Sequence, residues 1–330
     1  MEEVASLLRS RGKSDKSGNV EVREVIEVYP LRHNLIVILG PTASGKTRIA
    51  ARLAAAIGAE LISADSRQVY RGMDIGTGKD LAEYIVDGVP VPCHLIDVAE
   101  PGHLFSVFEF QQRFYECFRE ITARGRMPVV VGGTGLYIES ILREYRMLPV
   151  PENKAMREEL GKLGMEELAS KLLHMNPALH NTTDLTGRER LIRAIEIAEH
   201  TSTHGSREEI ERPDIVPLVI GVRWERTVLR ERITKRLKER LGQGMIEEVQ
   251  RLHDSGIPWE RLDEMGLEYR YVSLYLRGDL AYEEMFRTLN IRIHQFAKRQ
   301  DTWFRGMERR GITIHWIDGA DENALRELVG

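Results

Sequence analysis

Residues 35–47 read Leu35-Ile-Val-Ile-Leu-Gly40-Pro-Thr-Ala-Ser-Gly45-Lys46-Thr47. A branched apolar run stops at a glycine, G-x-x-x-x-G-K-T follows, and the chain enters Arg48-Ile-Ala-Ala-Arg-Leu-Ala-Ala-Ala-Ile57 with the composition of a helix. Strand, glycine loop and helix in that order are what a phosphate-binding loop requires. The glycines let backbone N–H groups curl around a phosphate oxygen with no Cβ in the way. The helix behind them points its positive end at the same anion. The expected cradle is Gly40, Pro41, Thr42, Ala43, Ser44, Gly45, Lys46 and Thr47. Within it Lys46 supplies a full charge, and Thr47 offers a hydroxyl to Mg²⁺. The chain is therefore expected to bind a di- or triphosphate group, and the question is what that group is attached to.

The 330 residues are 42% hydrophobic and 30% charged, with a formal net charge of −4. That is ordinary globular composition, consistent with one large domain and a smaller one. No apolar run approaches the roughly 20 residues that cross a bilayer, and no apolar leader opens the chain, so a cytoplasmic protein is expected. Cys93 and Cys117 are the two cysteines and have no C-x-x-C spacing, which argues against a zinc site or a disulfide scaffold. The acidic balance speaks against a nonspecific nucleic-acid coat but allows a local basic face.

Beyond the loop, Ala59-Glu-Leu-Ile-Ser-Ala-Asp65 reads as a second buried strand ending in an acid. Residues just past the carboxyl ends of parallel strands line the ligand crevice. Asp65 is thus a candidate to face Lys46, or equally a turn-capping residue. His94-Leu-Ile-Asp97 either brings a carboxylate to the metal or is a strand ending in a turn. Phe110, Phe114, Phe118 and Ile121 recur with helical spacing as a core stripe. Met127-Pro-Val-Val-Val131 is a further strand, running into Gly132-Gly-Thr134-Gly135, whose glycines suggest backbone close to a phosphate or sugar.

The strand rhythm then stops. The spacing predicts helices at 154–163, 165–173 and 187–199, and a returning strand at 215–222. This gives a parallel α/β core over 31–140 and 210–330, a helical insertion over 141–209, and a polar, mobile extension over 1–30. One amphipathic helix is expected over 227–252, with Leu229, Ile233, Leu237 and Leu241 on one face and Arg230, Arg232, Lys235, Arg236, Lys238 and Arg240 on the others. A last helix over 282–310 carries Ala297-Lys-Arg-Gln300-Asp-Thr-Trp303-Phe304-Arg305. That mixture suits a nucleic-acid surface, or a plain helix with Trp303 and Phe304 in the core.

The motifs taken together, G-P-T-A-S-G-K-T, I-S-A-D-S-x-Q-V-Y-R-G-M-D-I-G-T, H-L-I-D, V-V-V-G-G-T-G-L-Y, E-R-L-I-R-A-I-E-I and A-K-R-Q-x-T-W-F-R, run in order from about residue 34 to 318. The set resembles the tRNA dimethylallyltransferases. The resemblance implies a nucleotide-kinase-like P-loop α/β fold with a helical insertion that grips a tRNA stem-loop. It implies transfer of a dimethylallyl group from dimethylallyl diphosphate to N6 of an adenosine beside the anticodon, by a monomer using Mg²⁺ at Thr47. The loop that ordinarily holds ATP would then hold the diphosphate leaving group. Arg236 corresponds to an arginine that clamps it, and Asp65 to the acid that takes the N6 proton. Asp65, Ser66, Arg67, Gln68, Thr134, Arg157, Glu189, Arg190 and Arg193 correspond to tRNA-contacting positions.

The sequence departs from the pattern in the tRNA-facing half. Glu189 stands where glutamine is usual, Gly266-Leu267-Glu268-Tyr269 where G-Y-K-E is usual, Ile293-His294 where Thr-Arg is usual, and Asn176-Pro177 where Asp-Pro is usual. Two enzymatic alternatives share the loop: prenylation of free AMP or ADP, and small-molecule kinase or NTPase chemistry. The first needs neither insertion nor basic helix, and the second lacks an arginine-rich lid. A non-enzymatic RNA-binding module gives no reason for a full phosphate loop.

Overall fold

The branched run at 35–39 is buried on both faces, so it pairs on both edges and becomes the middle of a sheet. A computed structural model describes residues 33–147, 150–175, 187–204 and 211–330. The expected extension at 1–30 and the Asn176-Pro177 departure lie outside the described residues. The first half of the chain folds as β1 (Leu35–Leu39), α1 (Lys46–Ile57), β2 (Glu60–Ala64), a 3₁₀ turn (Leu81–Tyr84), β3 (Ile85–Val86), β4 (Val89–Pro90), β5 (Cys93–His94), α2 (Val107–Ala123), β6 (Pro128–Gly132) and α3 (Gly135–Leu142). Then come α4 (Lys154–Leu160), α5 (Met165–Met175) and α6 (Arg188–His204), followed by β7 (Pro217–Arg223), α7 (Arg226–Gly242), α8 (Met245–Asp254), α9 (Trp259–Glu264), α10 (Leu267–Leu276), α11 (Tyr282–Arg309), β8 (His315–Asp318) and α12 (Glu322–Val329).

Six strands form a parallel sheet in the order β5-β2-β6-β1-β7-β8, while β3 and β4 pair as a separate hairpin. β1 lies between β6 and β7, with Ile36 opposite both Val129 and Leu218. Alternation along β1 feeds two cores. Leu35, Val37 and Leu39 join the side covered by α2, α7 and α11, while Ile36 and Ile38 join the side covered by α1 and α12. The chain leaves β1 for β2 and later returns to β6 between them, which opens a crevice above the carboxyl ends of β1, β2 and β6. Helices α4–α6 bury a small core of their own, built on Leu160, Leu168, Leu172, Leu191 and Ile195.

One expectation is corrected, and one open reading is decided. The stretch 227–252 is not one helix: Gly244 takes φ +101°, so the chain breaks after Gly242 and restarts as α8. The i, i+4 leucines continued the periodicity, but a left-handed glycine ends a helix whatever its apolar pattern. The strand around His94 pairs only over Cys93–His94, because Leu95 and Asp97 adopt positive φ and turn the chain away.

Glu60, at the start of β2, ties the sheet edge together. Its carboxylate accepts from Arg124 at 2.7 and 3.1 Å and from Arg126 at 3.1 Å, and it meets His94 Nε2 at 2.6 Å. The Arg124 guanidinium outweighs burial and holds the Glu60 carboxyl at about 2, below the ordinary 4.5. A depressed acid stabilises the fold above its unfolded pKa and loses that contribution as pH falls. Resistance to urea is therefore expected to fall between pH 4.5 and about 2, and Glu60→Gln to remove about 1–3 kcal/mol at neutral pH and flatten that acid limb.

Candidate active site

The crevice is a cavity of about 980 Å³ walled by the glycine loop, the chain after β2, α7, α10 and α11. Gly45 caps α1 with φ +84° and Ala43 sits at φ +60°, the left-handed turns that let successive N–H groups face one point. The loop's carbonyls are held from outside. Arg232 Nε donates to Ala43 O at 2.8 Å, Trp224 Nε1 donates to Ser44 O at 2.8 Å, and the Arg232 guanidinium lies 4.4 Å from the Trp224 ring. Thr42, Ala43, Gly45, Lys46 and Thr47 line the cavity. Gly40, Pro41 and Ser44 are buried behind it, and the Ser44 hydroxyl has no hydrogen-bond partner among the described residues.

Lys46 folds back on the loop, its Nζ donating to Pro41 O at 3.3 Å. The side chain keeps some solvent access. Even so, burial pushes its pKa down to about 8; Asp65 opposes the drop and Arg236 adds to it. The cradle itself thus disfavours this charge, and an anion beside it would favour it.

Asp65 fills both roles that its position allowed. Its Oδ1 accepts from Arg67 N at 2.9 Å and Gln68 N at 3.4 Å, closing a turn, while the residue lines the same cavity as the glycine loop. Ser66 N donates to Thr134 Oγ1 at 3.0 Å, which sets the turn against the start of α3. Gln68 is buried, and its Nε2 donates to Gly78 O at 3.1 Å. Asp65, Ser66, Arg67, Gln68 and Thr134 are thereby brought together, with Arg236 on the facing wall.

Three candidates resolve differently. Asp97 does not line the cavity: it pairs with Lys79, a fully buried lysine that also meets Asp74 at 2.7 Å. It is a turn residue, not a metal carboxylate. The 132–135 glycines answer to packing, since a Cβ would lie 2.2 Å from Ala64 O at Gly132, 2.4 Å from the Gln300 amide at Gly133 and 2.3 Å from the Trp303 ring at Gly135. No phosphate or sugar is needed to explain them. On α11, Phe304 is core but Trp303 is 40% exposed, packed across Gly135.

Arg157, Glu189, Arg190 and Arg193 lie on the insertion, not on the cavity wall. Glu189 and Arg190 are exposed on α6. Arg157 and Arg193 both bond Glu196, a buried acid that also accepts from Asn153 N. Burial works against its charge, yet these donors hold the Glu196 carboxyl at about 2. Glu196→Gln is expected to leave both arginines short of a partner and to loosen the insertion by about 1–3 kcal/mol. Faster hydrogen exchange in α4–α6 checks it.

Several residues of the site carried no sequence signal for their role. Gln300 reaches across α11: Thr42 N donates to its Oε1 at 2.9 Å and its Nε2 donates to Gly133 O at 2.9 Å. Glu248 is buried and accepts from the amides of Asp74, Ile75 and Gly76 at 2.7–3.0 Å and from the Tyr269 hydroxyl at 2.7 Å. It fixes the segment that carries Gly78 to the cavity. Of the departures, Ile293 is core, His294 sits 3.3 Å from the Thr234 hydroxyl, Tyr269 is buried on Glu248, and Glu268 lines the cavity.

A family profile described as IPP transferase matches residues 68–307, and one described as isopentenyl transferase matches 33–87. The chain belongs to the IPP transferase family. Its relatives in that family include tRNA dimethylallyltransferase 1 of Syntrophus aciditrophicus, 60% identical over 89% of this chain and 96% of that one. The enzyme of the same name from Geotalea uraniireducens is 58% identical over 89% and 95%. The crystal structure of the tRNA isopentenylpyrophosphate transferase of Bacillus halodurans superposes with a TM-score of 0.64, at 34% identity over 90% of this chain and 94% of that one. In this IPP transferase chain, no described helix is long and apolar enough to cross a membrane.

Proposed function

We propose that the chain transfers a dimethylallyl group from dimethylallyl diphosphate to N6 of an adenosine beside the anticodon of tRNA, as a cytoplasmic monomer. One observation carries the reading: a phosphate loop and a carboxylate, Asp65, line a single cavity. Such an arrangement suits a reaction in which an anion leaves on one side and a proton leaves on the other. The allylic C–O bond breaks, the N6–C bond forms, and the N6 proton passes to the Asp65 carboxylate. The exocyclic amine is a poor nucleophile because its lone pair is delocalised, so a base within hydrogen-bond reach helps late in the attack.

Negative charge grows on the departing diphosphate. The loop N–H groups, Lys46 and Arg236 are fixed before the reaction starts and stabilise that charge without reorganising. Mg²⁺ fits the donors present. Among the described residues no group of three or more His, Cys, Asp or Glu is gathered to cage a cation. Mg²⁺ instead keeps several waters and needs few protein ligands besides the phosphates. The Thr47 hydroxyl would hold it, and when bound the ion would neutralise charge on the leaving group.

The target adenosine must leave its stack to enter the cavity, at a cost of a few kcal/mol. Ser66, Arg67, Gln68 and Thr134 are placed to meet it. Exposed Arg190, with Arg157 and Arg193, gives the insertion a cationic face for the backbone of a folded RNA, recognised by shape and phosphate. Glu189 beside them opposes that attraction.

The protein is tested with Mg²⁺, labelled dimethylallyl diphosphate and undermodified tRNA, with AMP and ATP as separate controls. Label in tRNA alone is the expected result. Label in AMP, or ATP turnover with no label in tRNA, overturns the reading.

A further inference from the structure

Arg240 is an anomaly on the cavity wall. It is 7% exposed, yet its Nε and Nη2 find no hydrogen-bond partner among the described residues. Its nearest anions, Asp80 Oδ2 and Glu268 Oε1, stand at 3.9 Å, outside hydrogen-bond distance. A guanidinium carries five N–H donors in a rigid fork, and burying them unpaired is costly. The fork is aimed at one place. A Cβ on Gly78 would lie 1.5 Å from Arg240 Nη2 and 2.8 Å from Arg236 Nη2, so both guanidinium edges converge where only a glycine fits. Arg236 meanwhile spends its Nη2 on Gly78 O and on Asp80.

We infer that Arg240 joins Arg236 as a second cation for the diphosphate, and that Asp80 and Glu268 are the carboxylates that occupy this pair until the diphosphate arrives. The inference rests on the proposed prenyl transfer and names a residue beyond it. Two forks side by side match an anion that offers several oxygens, and charged donors prefer such a bidentate acceptor. The same cavity also carries Lys46 and Arg232, with Asp80, Glu83 and Glu268 among these cations. The departure at 268 has a physical counterpart here. An acid stands where the motif has lysine, and Arg240 within ion-pair reach of it presents the positive charge instead.

Calorimetric titration of the whole protein with inorganic pyrophosphate and Mg²⁺ tests this. Arg240→Met is expected to weaken pyrophosphate binding by about 10–100-fold, the worth of hydrogen bonds to a charged group, and to leave tRNA affinity within about twofold. Glu268→Gln is expected to bind pyrophosphate several-fold more tightly, because it removes a competing anion. A residue kept only for packing predicts no such gain. If Arg240→Met does not fold, Arg240→Gln and Glu268→Gln carry the test. Wild-type pyrophosphate affinity in a folded Arg240 variant, or loss of tRNA binding in place of pyrophosphate binding, overturns the inference. The labelling assay reads separately: wild-type protein that binds pyrophosphate but labels no tRNA defeats the prenyl-transfer reading and leaves Arg240 standing.

Discussion

Asp65→Asn is expected to lower kcat for tRNA prenylation by about 10²–10⁴, the usual worth of a positioned general base. That is about 3–5 kcal/mol of transition-state stabilisation. The amide keeps an oxygen for the Arg67 and Gln68 amides, so the turn that shapes the cavity should survive. Binding of dimethylallyl diphosphate should change little if, as proposed, the glycine loop and not Asp65 holds the diphosphate. Single-turnover rates with separate donor titrations distinguish the two effects. An Asp65→Asn enzyme with a normal chemical step would remove Asp65 from its role. Asp65→Ala breaks the turn as well and should lower the melting temperature, which makes asparagine the cleaner probe.

Lys46→Ala should cost about 10²–10³ in kcat, comparable to deleting one preorganised donor from an oxyanion site. Unlike the Asp65 change, it should also weaken donor binding, since in the proposed reaction the loop lysine would hold the diphosphate in the ground state too. Lys46 is crowded enough that burial pushes its pKa down to about 8, so the alanine variant loses a charge that the free protein was holding unfavourably. Thermal stability in the absence of ligand is therefore expected to hold or rise while activity collapses. A parallel fall of both would mark Lys46 as a structural residue. Lys46→Arg should not restore the rate, because a planar fork does not fit a seat shaped for a compact ammonium.

The glycine loop was legible because its chemistry is local. Strand, turn and helix follow one another in 35–57, and each step has a residue reason: branched apolar residues, then glycines, then alanines. The strands of the parallel sheet and the helices α4–α6 were legible for the same reason. What stayed hidden is long-range. Gln300 acts 258 residues from Thr42 and 167 from Gly133, and no spacing in the chain announces such a bridge. Glu248 looked like one more acid on an amphipathic face, though it gathers three amides from a segment more than 170 residues earlier. Asp97 stayed open because a strand-end acid near a phosphate loop has the right address for either role; only the folded chain reveals its pairing with Lys79. The 132–135 glycines misled, since closeness to a ligand and closeness to another side chain leave the same mark in a sequence.

The amide of Gln300 has one further effect. Its oxygen grips one glycine turn and its nitrogen grips the other, so the seat of the departing anion and the wall beside the incoming base are spaced by a single planar group on α11. Neither turn can drift without dragging its counterpart. A tilt of that long helix would carry both turns together, keeping their separation constant while the cavity entrance changes shape.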